Sequence, residues 1–172
     1  MHFKKSSIVR LWGAAAALFL FGCGSSSIAG DPAAAFAGNW TFGSGSIAAA
    51  CNISIPSFPL TGATLMIERT DPTHLTTNLQ GNGLNCPVNF TVTGTTATAN
   101  ATSGQPCTVT TTVSGTTVMA TIQISTWSLT VSGGTLTTSM SGTATAAGGL
   151  VSCTTVMADG AATRTSDGGT GG

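Results

Sequence analysis

Val118-Met119-Ala120-Thr121-Ile122-Gln123-Ile124 places Val118, Ala120, Ile122 and Ile124 on one face of an extended chain and Thr121 and Gln123 on the other. This period of two is the signature of a half-buried β-strand. Cys86, Val88, Phe90 and Val92 repeat it, with Asn and Thr at the intervening positions. Threonine is β-branched and suits the wet face of a sheet. From Gly38 onward no segment sustains a helical stripe, and turn residues recur at short intervals. The chain is therefore expected to be all-β: an antiparallel meander of eight or nine strands, forming a closed or nearly closed barrel, with a β-sandwich as the alternative.

Turn positions set the expected registers. A Gly115-Thr116 turn places Val113 opposite Val118 and Val109 opposite Ile122. A Gly133-Gly134 turn sets Val131 against Leu136 and Trp127 against Met140, and a Gly148-Gly149 turn then sets Met140 against Met157. Apolar residues thus align across successive hairpins. The apolar parity switches between Ile124 and Trp127, which calls for a β-bulge near Ser125-Thr126 or a strand that turns its other face inward. Earlier strands are expected near Gly38 to Cys51, Gly62 to Thr70, Leu75 to Gln80, Leu84 to Thr93 and Thr96 to Thr102, with Pro56 and Pro59 in the first loop and Asp71-Pro72 as a turn. That makes nine strands, and an odd count would leave the first and last strands of a meander parallel. One segment, Leu75 to Gln80 or Thr96 to Thr102, is accordingly expected to be a loop or to merge with a neighbour.

Ahead of this region lie Lys4, Lys5 and Arg10, an apolar run from Leu11 to Phe21, and then Gly22, Cys23, Gly24 and three serines. A basic start, an apolar stretch and small residues at the cut form an export signal. The run is too short for a transmembrane helix, which needs roughly 20 apolar residues. Leu20-Phe21-Gly22-Cys23 resembles the bacterial lipobox, with Phe21 where a small residue is usual; ordinary signal cleavage near Gly22 or Ala29 is the alternative. The resemblance implies that residues 1–22 are a lipoprotein signal peptide and that Cys23 is acylated as the first residue of the mature chain. Burial at ~0.8 kcal/mol per CH₂ makes a multi-chain anchor effectively permanent. Gly24 rather than Asp is similar to lipoproteins sorted to the outer membrane, on a periplasmic or surface face that stays open. Residues 23–37, rich in Gly, Ser and Ala, read as a flexible tether, 38–165 as the folded domain and 166–172 as a disordered tail.

Beyond residue 22 only Arg69 and Arg164 stand against Asp31, Glu68, Asp71, Asp159 and Asp167, a net charge of −3. Without a basic patch, nucleic acid is not an expected partner. Four cysteines remain, Cys51, Cys86, Cys107 and Cys153, which in an exported chain read as two disulfides. Three connectivities are possible, and Cys51 with Cys153 and Cys86 with Cys107 is favoured. With no Cys-x-x-Cys pair and His74 as the sole histidine after the leader, neither a metal nor another cofactor is expected. Glu68, Asp71 and His74 are close in sequence but are read as a solvated turn; no catalytic residue is assigned and no enzyme expected.

Gly38-Asn39-Trp40, together with Arg164, resembles the Gly-x-Trp opening and late arginine of lipocalin-like barrels. The resemblance implies that Arg164 packs over Trp40 and closes the barrel floor. One antiparallel register of first and last strands that pairs Trp40 with Arg164 also pairs Cys51 with Cys153. As a whole the chain is similar to uncharacterised exported bacterial lipoproteins, with a lipobox, a short tether and Thr/Gly-rich hairpins. The functional expectation is a lipid-anchored, non-enzymatic envelope module contacting other envelope proteins. The alternative is a lipocalin-like carrier, holding a small apolar ligand among Phe90, Trp127, Met140 and Met157. Ala97, Ala99, Ala101, Ala144 and Ala146 either leave room for such a ligand or fit the barrel taper.

Overall fold

A computed structural model describes residues 31–51, 57–100, 106–113, 115–146 and 149–165. A single turn of 3-10 helix, Pro32–Ala35, precedes ten strands: β1 (Gly38–Cys51), β2 (Phe58–Pro59), β3 (Thr64–Asp71), β4 (His74–Gly81), β5 (Leu84–Thr93), β6 (Thr96–Ala99), β7 (Cys107–Val113), β8 (Thr116–Ser132), β9 (Thr135–Ala146) and β10 (Val151–Arg164). All pair antiparallel in one sheet, and β1 joins β10 to close it into a ring.

The odd strand count is resolved by a merger. β6 pairs with the end of β5 and with Ser128–Thr130 of β8, while β7 pairs with the start of β5 and with the first half of β8. Both run in the same direction between the same neighbours, so they form one interrupted strand. The ring then has eight strand positions, and an even count makes β1 and β10 antiparallel. Its walls are uneven: β8 has 17 residues and β1 and β10 have 14 each, against 8 each in β3 and β4. β2, inside the loop expected after the first strand, adds a short patch on Ser46 and Ile47 of β1 where β3 has ended.

Trp127 faces Met140, Val131 faces Leu136 and Met140 faces Met157. Gly133 (φ 57°) and Gly134 (φ 80°) supply the two left-handed residues that a tight hairpin needs. The bulge falls between Ile124 and Thr126, at the parity switch. At this bulge Gly142 lies against Gln123, where any side chain would meet the Gln123 carbonyl. The β7–β8 register differs from expectation: Val109 pairs with Ala120, not Ile122, and Val113 with Thr116, not Val118. The turn centres one residue earlier, with Gly115 (φ 81°) at its end. A displacement by two preserves which face each residue presents, so inward residues stay inward.

β1 and β10 pair Trp40 with Arg164 and Cys51 with Cys153, but two bulges intervene and cancel. The first adds a residue in β1 near Gly43; the second adds one in β10 at Asp159–Gly160, where Asp159 has φ 52°. Gly45 (φ 107°) crosses this second bulge so closely that a Cβ would lie 2.6 Å from the Cα of Gly160. The interior is filled by Trp40, Phe42, Phe90, Trp127 and Leu129, each below 2% exposed, and their buried apolar neighbours. The outward face is largely polar: Thr126–Ser141 and Ser128–Ser139 hydroxyl pairs bridge β8 and β9, and Thr143, Thr154, Gln80 and Asn85 point outward, with Met66, Met119 and Val156 exposed among them.

The tether expected over 23–37 is shorter than its reading at the C-terminal end. Asp31 caps the 3-10 turn through the amide of Ala34, and Ala33 and Phe36 are fully buried. The Ala33 amide donates to the Pro72 carbonyl, and Asp31 pairs with Arg69 at 2.7 Å. Residues 31–37 therefore belong to the domain. The signal peptide, Cys23, the rest of the tether and the tail 166–172 lie outside the described residues, as does Ala101.

Candidate functional site

The two ends of the ring differ. At the floor, where β1 begins and β10 ends, Trp40 is 1% exposed and its Nε1 donates to the Phe36 carbonyl at 2.7 Å. The Arg164 guanidinium carbon sits 4.9 Å from the centre of the Trp40 ring, and Nη2 donates to the Ala35 carbonyl at 2.7 Å. One arginine thus joins the segment leading into β1 to the end of the last strand. The 3-10 turn lies over this end and is held there by Pro72, Arg69 and Arg164.

Above the floor, Trp127 meets Phe90 edge to face, with ring centres 5.3 Å apart and planes at 73°. The buried indole must place its N–H, and Nε1 donates to Thr138 Oγ1 at 2.6 Å. Paired registers then run from Trp127 to Met140, Met157 and Ile47, a continuous row across β8, β9, β10 and β1. Phe90, Trp127, Met140 and Met157 are all 3% exposed or less. Phe90 and Trp127 are in ring contact, Met140 pairs with Trp127 and Met157, and the cavity mouthward of them is lined by other residues.

Mouthward of that row the side chains become small. Ala49, Ala120, Ala144 and Ala146 stand where larger residues would meet, and an apolar cavity of about 160 Å³ opens among them. Of the alanines singled out in the sequence, Ala144 and Ala146 line it, whereas Ala97 is buried in the core and Ala99 packs against that core. Ile47 and Ile122 add branched walls. Among the described residues, the one buried polar side chain lining it is Thr155, 2% exposed, whose Oγ1 has no hydrogen-bond partner among them. It pairs with Ala49 on one side and Gly142 on the other, and neither offers a side-chain polar atom. The sequence signal for this residue was weak, since Thr155 looks like every outward threonine until the register of β10 is known.

Both disulfides form cross-strand. Cys51 bonds Cys153 between β1 and β10, with Cα atoms 4.2 Å apart, and Cys86 bonds Cys107 between β5 and β7, at 4.1 Å. Cys153 also lines the cavity. Among the described residues no group of three or more His, Cys, Asp or Glu side chains could hold a metal ion. Asp71 and His74 come together in the β3–β4 turn, with Nδ1 2.8 Å from Oδ2, but both are about half exposed. The Thr73 amide, 2.7 Å from Oδ1, and then the His74 imidazole hold the Asp71 carboxyl down at about 2. Glu68 is outside this turn's hydrogen bonds and points outward, opposite Thr76.

No protein-family model matches the sequence. No curated protein matches it. Among solved structures, the chain is similar to a Bacteroides fragilis protein described as a "putative outer membrane protein", with 14% identity and a TM-score of 0.47 over 79% of this chain and 53% of that one. The chain thus spans about half the length of that protein.

Proposed function

We propose that this chain is a lipid-anchored module of the bacterial cell envelope, tethered through Cys23 to the outer membrane, and that it acts without catalysis as a stable platform for other envelope proteins. The observation that carries this reading is the pair of cross-strand disulfides within a closed ring. Such bonds persist in oxidising compartments outside the cytoplasm, which agrees with the reading of residues 1–23 as an export signal ending in a lipobox-like cysteine.

The largely polar outward face argues for anchoring over spanning. A transmembrane barrel needs an apolar outer band about 25 Å tall, whereas threonine and serine hydroxyls predominate on the outer face of β8, β9 and β10, interrupted by Met119 and Val156. The exposed Asp71–His74 turn offers no enclosed site for acid-base chemistry, and the filled layer around Trp127 favours a platform over a deep carrier cup. Because the chain enters the domain at the floor, the mouth would face away from the bilayer.

Cell fractionation and intact-mass spectrometry test the reading. The protein is expected in the outer-membrane fraction, beginning at Cys23 and carrying the mass of its acyl chains; Cys23→Ser is expected to release it. Recovery of unacylated protein with residues 1–22 intact would overturn the proposal.

A further inference from the structure

The cavity at the mouth is neither filled by the core nor lined by anything that explains its one buried hydroxyl. We propose that it is a binding site for a small neutral ligand with a compact apolar body, a ring or a branched chain of roughly six to eight carbons, that carries one hydrogen-bonding group at its inner end. Three observations fix this class. The volume of about 160 Å³ is close to that of an engineered apolar cavity of ~150 Å³ that stays dry and binds benzene. The walls from Ile47, Ile122 and the four alanines are apolar, so an ionised group would enter without compensation. Thr155 Oγ1 is buried and unpartnered.

A buried hydroxyl without a partner is costly, and in this fold it is also avoidable, since valine has the same shape and suits a strand equally well. Depth sets the orientation. Thr155 lies two residues mouthward of Met157 on β10, just above the Trp127–Met140–Met157–Ile47 row that closes the cavity from below. A ligand entering from the mouth therefore meets Thr155 with its leading end. Its alcohol, phenol or carbonyl oxygen would complete the hydrogen bond, and its apolar body would lie against Ala49, Ala120 and Ala144. This site does not depend on how the chain is anchored.

The test uses the full chain with isoleucine methyls labelled for NMR, titrated with 4-methylphenol and, separately, with toluene, which has the same ring without the hydroxyl. Both probes are expected to shift the Ile47 and Ile122 methyls saturably and leave Ile67, buried near the floor, unmoved. 4-Methylphenol is expected to bind about tenfold more tightly than toluene, the worth of one neutral hydrogen bond. Thr155→Val, which keeps shape and removes an unpaired group, is expected to fold normally and to erase that tenfold difference. Ala144→Phe, which fills the space, is expected to abolish both titrations, with Ala49→Leu as a second filling variant should the first not fold. Absence of saturable shifts at Ile47 and Ile122 in the parent chain, or an unchanged preference for 4-methylphenol in Thr155→Val, overturns the proposal.

Discussion

Removing the Cys51–Cys153 bridge should cost more stability than removing Cys86–Cys107, and the difference follows from the lengths of chain they enclose. The sequence separations are 102 and 21. Taking the loss as the loop-closure entropy returned to the unfolded chain gives about 4.7 kcal/mol for the first and about 3.3 kcal/mol for the second. The inner bridge shortens the outer loop in the unfolded protein, which trims the larger figure only slightly because the dependence is logarithmic. In the folded state the strands on either side of each bridge keep their hydrogen bonds, so Cys51→Ala/Cys153→Ala and Cys86→Ala/Cys107→Ala should both retain the ring. Equilibrium urea unfolding without reductant measures both. The first variant is expected to be the less stable by about 1.4 kcal/mol, and both should show a steeper denaturant dependence as the unfolded chain expands. If the inner pair costs as much as the outer, or the outer pair costs nothing, chain entropy is not what these bridges supply.

Trp127→Phe removes the indole donor to Thr138 Oγ1 and part of the ring that meets Phe90; a loss of about 1 to 3 kcal/mol is expected in thermal unfolding, and an unchanged midpoint would refute the role given to that bond. Gly45→Ala forces a side chain against the Gly160 backbone at a positive φ, whereas Gly43→Ala meets nothing within 4 Å. The first should therefore destabilise by about 1 to 3 kcal/mol and the second change stability by no more than about 0.5 kcal/mol, compared side by side in the same denaturant titration. The Asp71 carboxyl, depressed from 3.8 to about 2 chiefly by the Thr73 amide, should titrate in an NMR pH series with a midpoint near that lower value. Because the folded value lies below the unfolded one, its contribution is present above pH 3.8 and is lost as pH falls through about 2; a midpoint near 4 would show that the turn does not hold in solution.

Much of the β8–β9 and β9–β10 pairing was legible because the glycine pairs at 133–134 and 148–149 each leave a hairpin few ways to turn, and the two registers then bring Trp127, Met140 and Met157 into line. The meeting of Trp40 with Arg164 and of Cys51 with Cys153 was legible as one register, although the two cancelling bulges between them were not. Bulges of opposite sense leave no net offset for a sequence to display. The β7–β8 slip escaped for a related reason: a displacement of two residues leaves the same faces buried, so periodicity does not distinguish the two registers. Residues 31–37 look like linker by composition, and the signals against that were local: Asp31 before Pro32 as a helix cap, and Phe36 as a bulky side chain among alanines. The filled layer around Trp127 and the open space above it share one set of inward positions, and only the three-dimensional convergence of four strands separates them. Thr155 was hidden by the abundance of threonine itself.

The closure of β1 on β10 has a consequence for how the protein matures. If the chain crosses a membrane amino end first, Cys51 emerges long before Cys153, and the first thiol available to it is Cys86. Oxidation in order of emergence would then join neighbours, whereas the native bridges nest one within the other. A chain with this connectivity would depend on thiol–disulfide exchange, by attack of a free thiolate on the premature bond, before its first strand can find its last. Secretion in a host that oxidises thiols but does not reshuffle them should accumulate a mispaired form, in which the seam between the two ends of the polypeptide stays open.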